Sequence, residues 1–346
     1  MRRICGISLA VAVVLALAPR AGSQKSSVPP QSSPFVLTTQ LPLPGVHGRF
    51  DHFAFDPVEP GRIFISALGN NSVEILNLVE GTEVHRITGI PEPQGITYAL
   101  GLNKLFVASR KGTLYIYDGE KENYDLITKI VFNADVDNLR YDAPSKRVYV
   151  GYGDGDKAAI GMIDATTNKR LEEEYKIGAH PESFQLESSG SKIFVNLPDL
   201  KQVGVIDRTT KQVSKWPLTL EDNFPMALDE ADHRLFIVTR TPPRLAVLDT
   251  NSGKVVAALP CVADVDDVYY DSNRKRVYIP GGQGRIDIFQ QKDPDHFELL
   301  AKVPTVIGAR TAGYAKTGKK GSDRFYLAVP ATPGKEAAVW WYTVLD

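Results

Sequence analysis

Seven times along the chain an aromatic residue sits between β-branched or aliphatic neighbours, just after a basic residue and a turn. The runs are RIFIS around Phe64, KLFVA around Phe106, RVYVG around Tyr149, KIFVN around Phe194, RLFIV around Phe236, RVYIP around Tyr278 and RFYLA around Tyr326. They recur at intervals of 42, 43, 45, 42, 42 and 48 residues. A period of that size marks a repeat architecture. Within each unit the apolar residues alternate with period two, β-branched residues are frequent, and Gly, Asn or Asp fills the gaps. These are strand and turn signals. No window of helical length carries an amphipathic stripe.

Each unit divides into four strands. An inner strand comes first (HFAFD, GITYA, NLRYD, SFQLE, PMALD, DVYYD, TAGYA), followed by the aromatic strand and then a third (SVEILNL, TLYIYD, AIGMID, QVGVID, RLAVLD, RIDIF, VWWYTVL). A fourth follows in six units, and the seventh runs out of chain at Leu345. The missing strand is available at the other end, in FVLTTQLPL at 35–43. The pattern predicts an all-β, seven-bladed β-propeller with four-stranded antiparallel blades, its ring closed by the N-terminal strand. Closure would remove the sheet edges left open otherwise.

Residues 1–23 read as a secretory signal peptide. Arg2 and Arg3 precede an uncharged apolar stretch from Ile7 to Ala18, and Ala21, Gly22 and Ser23 suit a cleavage site before Gln24. The stretch is too short for a span, which takes roughly 20 residues. Residues 24–34 are Ser, Pro and Gln with almost no apolar content, a flexible linker. The expected organisation is signal, linker and one propeller domain at 35–346, periplasmic or secreted, with no membrane span after cleavage.

Composition narrows the partners. The net charge is −1, and losing Arg2, Arg3 and Arg20 with no acid would make it −4. A nucleic-acid binder would normally be basic. Of two cysteines only Cys261 would remain, so no internal disulfide is expected. Cys261 follows an outer strand and reads as a buried, inert thiol. A monomer is expected.

The runs RIFISALGNNSVEILNL, KIFVNLPDLKQVGVIDRTTKQV and RLFIVTRTPPRLAVLDTNSGKVV resemble the YVTN/YncE-type propellers of exported bacterial proteins. The namesake Tyr-Val-Thr-Asn is absent from every unit; Tyr149-Val150-Gly151 and Phe194-Val195-Asn196 come nearest. The resemblance implies a fold and a compartment, and carries over no catalytic residue.

Candidate chemistry follows from registering the units on the residue that closes each inner strand: Asp56, Ala99, Asp142, Glu187, Asp229, Asp271 and Ala315. Five residues back stand Asp51, Gln94, Asp137, Glu182, Phe224, Asp266 and Arg310. Four back stand His52, Gly95, Asn138, Ser183, Pro225, Asp267 and Thr311. Seven back stand Arg49, Glu92, Asp135, His180, Asp222, Asp264 and Gly308. All three layers are expected at one mouth of the central channel. Carboxylates about 8 Å apart would repel by roughly 2 kcal/mol at an effective dielectric near 20. A base, a proton or a bound cation must offset this. Arg310, on the blade between those of Asp266 and Asp51, is expected to pair with both. Asp137 and Glu182, on adjacent blades, have no evident base, and Asn138 and His180 lie close to them in sequence.

The set Asp137, Asn138, His180 and Glu182 is therefore a candidate for a divalent cation, held by Asp137, His180 and Glu182, or for a polar ligand. The bland alternative is a solvated acidic rim. Three function classes stay open: a propeller binding a small molecule, cation or protein partner at the mouth, a metal-dependent lactonase-like hydrolase or lyase built on the same four residues, and a structural role in the cell envelope. Fold alone does not separate them. Gly281-Gly282-Gln283-Gly284 joins two strands, so it reads as a turn and not a phosphate cradle. Gly151–Asp156 resembles a calcium loop but lacks its closing Glu.

Overall fold

The computed structural model describes Met1 and residues 33–58, 61–78, 80–120, 122–316 and 323–346. The expected signal peptide beyond Met1, and linker residues 24–32, lie outside the described residues. Seven four-stranded sheets are present. Blade 1 runs Phe53–Asp56, Arg62–Ala67, Ser72–Asn77, Thr82–Thr88 from the channel outward. Blades 2 to 6 repeat this order, beginning with the inner strands Pro93–Ala99, Val136–Asp142, Phe184–Leu186, Glu221–Asp229 and Tyr269–Asp271. Blade 7 takes Ala312–Ala315, Arg324–Val329 and Ala337–Val344 from the C-terminus and Phe35–Leu43 from the N-terminus.

That last strand closes the ring as the pattern predicts. It pairs antiparallel with Ala337–Val344, from Phe35 opposite Val344 to Leu43 opposite Ala337. Phe35 and Leu43 anchor its ends in the core.

The seven repeated aromatics are all buried. Each leaves its own blade and packs against the next one, as Phe106 of blade 2 does against Val136 and Val148 of blade 3, and Tyr326 of blade 7 against Ile63 and Ile65 of blade 1. The core is thus a ring of seven clusters, one at every blade interface. Each large ring removes apolar surface from water between two sheets, worth about 25 cal/mol per Å² buried.

The basic residue of the repeat has a second duty. At the end of the propeller away from the mouth, it reaches across to the segment that follows the third strand of the next blade. Arg62 donates to the Gly119 carbonyl at 2.6 Å, Lys104 to that of Ala165 at 2.8 Å and Lys192 to that of Thr250 at 2.9 Å. Arg234 donates to the Pro294 carbonyl at 3.1 Å and Arg276 to that of Leu345 at 2.6 Å. Several of the receiving segments are turns set by an Asp closing the third strand. Asp164, Asp249 and Asp293 each accept two backbone N–H groups two and three residues on.

Among the described residues no helix is long and apolar enough to cross a membrane. Cys261 is half-buried rather than buried, and burial pushes its thiol up to about 12.

Candidate ligand-binding site at the channel mouth

The inner strands carry a local irregularity at the same point. In blade 1 both Asp51 and His52 face Ser66: the Asp51 N–H donates to the Ser66 carbonyl at 2.8 Å, and the Ser66 N–H donates to the His52 carbonyl at 3.0 Å. Glu182 and Ser183 face Asn196 in the same way, at 3.1 and 2.9 Å. In blades 2, 3 and 5 the register slips between Pro93 and Ile96, Val136 and Leu139, and Asn223 and Met226. These are β-bulges, which bend a strand and re-aim its side chains. The extra residue separates the five-back and four-back layers.

All seven five-back residues line one cavity of about 400 Å³ at the mouth: Asp51, Gln94, Asp137, Glu182, Phe224, Asp266 and Arg310. Of the four-back layer, His52, Asn138 and Ser183 reach it too. Gly95, Pro225 and Asp267 instead line a second cavity of about 320 Å³ deeper in the channel, which His52 and Ser183 also border. Thr311 turns away and donates to the Phe50 carbonyl at 3.2 Å. The seven-back layer contributes Arg49, Asp135 and His180. Glu92 pairs with Lys111 at 2.6 Å and Asp222 accepts from the Thr241 hydroxyl at 2.6 Å, both off the cavity. The expectation that all three layers share one mouth is therefore corrected. The bulge turns part of the four-back layer down the channel, and only three seven-back side chains point inward.

Arg310 also departs from expectation. It pairs with Asp266 at 2.5 Å and with Asp264, not with Asp51. Asp51 takes Arg49, two residues earlier on its own blade, at 3.3 Å. The local partner wins because it needs no reach across the ring. Two arginines that the inner-strand register could not reveal, Arg110 and Arg240, arrive from the far ends of aromatic strands. Arg110 lies 3.5 Å from Asp135, and Arg240 pairs with Asp266 while its guanidinium lies over Phe224. The signal was the polar residue ending those strands at the mouth, in VASR and IVTR.

The sector at blades 3 and 4 is different. Asp137 is 5% exposed; imidazoles alone lie within ion-pair distance of it among the described residues, His52 Nε2 and His180 Nε2, each 3.8 Å away, and the Asn138 side chain also bonds it. Oδ1 of Asp137 has no hydrogen-bond partner, and neither has Oε1 of Gln94, which is 7% exposed. Burial pushes the Asp137 carboxyl up, but the imidazoles outweigh it and hold the group below its ordinary value. Burial also opposes charge on His180, yet Asp137, Glu182 and Asp135 raise it to about 9, so it is an imidazolium at neutral pH. Its Nδ1 lies 3.0 Å from the Gly153 carbonyl, a donor's position. No cation comes within ion-pair distance of Glu182 among the described residues. Burial, then Asp137, Asp51 and Asp266, push its carboxyl up to about 8. Asp135 rises to about 6, and Asp51 well above the usual range, both chiefly through burial. The mouth thus carries more carboxylates than its arginines neutralise, and it retains protons to compensate.

Gly95 makes this packing possible. A side-chain carbon there would lie 2.0 Å from the Asp137 carbonyl oxygen. The backbones of blades 2 and 3 therefore touch beside Gln94 and Asp137.

Among the described residues no group of three or more His, Cys, Asp or Glu side chains is arranged to hold a metal ion. The expected set Asp137, His180 and Glu182 lines one cavity, with His180 Nε2 3.8 Å from Asp137 and its Nδ1 held at the Gly153 carbonyl.

No protein-family model matches the chain. The protein YncE of Salmonella typhi, described as uncharacterized, is 25% identical over 157 residues, 44% of this chain and 44% of that protein. YncE of Salmonella typhimurium strain LT2 is 24% identical over 157 residues, with the same shares. The matched region thus spans less than half the length of these relatives. Together with seven four-stranded blades, this weak homology supports a YncE-type propeller family. A chain in the crystal structure of the mitotic checkpoint complex superimposes with a TM-score of 0.73 at 13% identity, covering 97% of this chain and 99% of that one. At that identity it shows the fold alone. The YncE resemblance read from the repeats and the propeller agree; neither assigns chemistry to the mouth.

Proposed function

We propose that this YncE-type propeller is exported and binds a small ligand at the channel mouth through a cationic group, an organic ammonium. The observation that carries the reading is the pair of unpartnered oxygens, Asp137 Oδ1 and Gln94 Oε1, buried at a cavity where Glu182 has no base. An unmet buried acceptor costs about 1–3 kcal/mol, and an incoming N–H donor would remove that cost. The ammonium would also replace the proton that Glu182 holds. Export rests on the Arg2–Ser23 segment and its small-residue end. Titration calorimetry with ethylammonium in two buffers of different ionisation enthalpy tests the site. Binding should release a proton near pH 7 and strengthen as the pH rises towards 8. Absence of binding in wild type, or binding unchanged by Glu182→Gln, would refute it.

A hydrolase or lyase on the same side chains draws support from one feature. A carboxyl protonated up to about 8 beside an open cavity is suited to act as a general acid. A lactone and ester hydrolysis screen, with and without added calcium or zinc, separates this reading from pure binding.

A further inference from the structure

The deeper cavity holds the channel arginine that has no carboxylate. Arg49, Arg110, Arg240 and Arg310 at the mouth each have an acidic partner within ion-pair distance. Arg140 lines the cavity below and has none among the described residues. Its Nη1 donates to Asn138 Oδ1 at 3.2 Å and to the Leu139 carbonyl at 2.8 Å; its Nη2 donates to the Ser183 hydroxyl at 3.4 Å. All three acceptors are neutral. A guanidinium carries five N–H donors, so the Nε–H and one Nη2–H of Arg140 have no partner among the described residues. The face of the group rests on the Phe184 ring, 5.4 Å from its centroid. The guanidinium is therefore oriented from two sides and open on a third.

The one carboxyl lining this cavity, Asp267, acts on Arg140 as a nearby charge but makes no ion pair with it. Asp267 accepts the Ala312 backbone N–H at 2.8 Å and faces His52 Nδ1 at 3.9 Å. The Tyr269 hydroxyl donates away, to the Ala312 carbonyl at 2.5 Å. A charge held in a partly dry channel without a counter-ion attracts one.

We propose that Arg140 is the anion subsite of the channel and binds a carboxylate through its free Nε and Nη2 donors, so that the ligand is a zwitterion with its cationic group at the mouth. Asn138 and Ser183 connect the two subsites, since each lines the mouth cavity and accepts from Arg140. The zwitterion reading rests on the cationic site proposed above; the carboxylate subsite does not.

Calorimetry with three probes tests it: acetate alone, ethylammonium alone, and the ω-amino acids from glycine to 6-aminohexanoate. One chain length should bind at least tenfold more tightly than either single-charge probe. Arg140→Met should abolish acetate binding and remove that gain while leaving ethylammonium unchanged. Asp267→Asn, which removes a repelling carboxyl without touching Arg140, should strengthen acetate binding; weakening would mean that Asp267 and Arg140 form a structural unit, and would overturn the subsite. Wild type that binds no acetate, or Arg140→Met that binds it as before, overturns it too. Acetate binding without ethylammonium binding leaves the anion subsite standing and removes the mouth reading. Melting curves confirm that each variant is folded. Should Arg140→Met not fold, Arg140→Lys takes its place. It keeps the charge but not the paired donors, and should weaken acetate binding several-fold; unchanged binding overturns the carboxylate geometry.

Discussion

The two ends of the propeller use one repeat in opposite ways. Away from the mouth, the basic residue opening the aromatic strand repeats its role from blade to blade, as Lys104, Lys192 and Arg276 show by tying themselves to carbonyls of the following blade. At the mouth, equivalent residues differ from sector to sector: a carboxylate in one, an amide, an aromatic ring or a guanidinium in another. The difference teaches where each kind of constraint lies. A cation donating to backbone carbonyls needs only the neighbouring backbone to be present, so one residue type serves in five blades. The mouth side chains are not held to one shared backbone contact, and they diverge while the backbone beneath them stays the same.

The sharpest way to break the comparison is to open the ring that both ends share. Deleting 35–43 strips the partner from Ala337–Val344 and takes Phe35 and Leu43 out of the core. The cost should exceed the roughly 3–5 kcal/mol of a single buried aromatic, and cooperative melting should be lost. Deleting 24–32 of the linker should leave melting unchanged, since Pro34, whose carbonyl accepts the Leu345 N–H at 2.8 Å, is kept. Equal melting of the two truncations would refute closure.

Next comes a change confined to the mouth. Gly95→Ala pushes a methyl into the Asp137 carbonyl, which should destabilise by about 1–3 kcal/mol and abolish ethylammonium binding. Lys192→Met, at the other end, removes a charged donor from the Thr250 carbonyl. It should cost about 1–2 kcal/mol with ligand affinity intact. Chemical denaturation and calorimetry on both variants decide whether the two ends are independent. A loss of binding in Lys192→Met would show that they are not.

The smallest effect is the most diagnostic. Folded Glu182 keeps its proton up to about 8, against an ordinary carboxyl value of 4.5. Between those values the folded state binds the extra proton, so stability falls as the pH rises through that window. His180, raised to about 9 from 6.5, adds to the fall: its contribution is complete below 6.5 and lost as the pH climbs to 9. Glu182→Gln should therefore stabilise the protein by about 1–2 kcal/mol at pH 8 and by almost nothing at pH 4. A variant less stable than wild type at pH 8 would make Glu182 an ordinary structural acceptor.

Strands, blade number and closure were legible in the sequence because they are repetitive: period-two alternation and a spacing near that of Phe64 to Phe106 need no long-range information. The five-back layer was legible for the same reason, since equivalent positions in equivalent blades must point alike. Two things were decided only by tertiary structure. One is the β-bulge, which sends Asp267 and Gly95 below Asp266 and Gln94; no local residue pattern announces an extra residue in a strand. The other is the choice of partner for long cationic side chains. Arg310 takes Asp264 and Asp266, Arg49 takes Asp51 of its own blade, and Arg140 is left with neutral acceptors. Such pairings depend on distances across a closed ring, and on which competing carboxylate lies within reach of a flexible side chain. Alternation along a strand encodes neither.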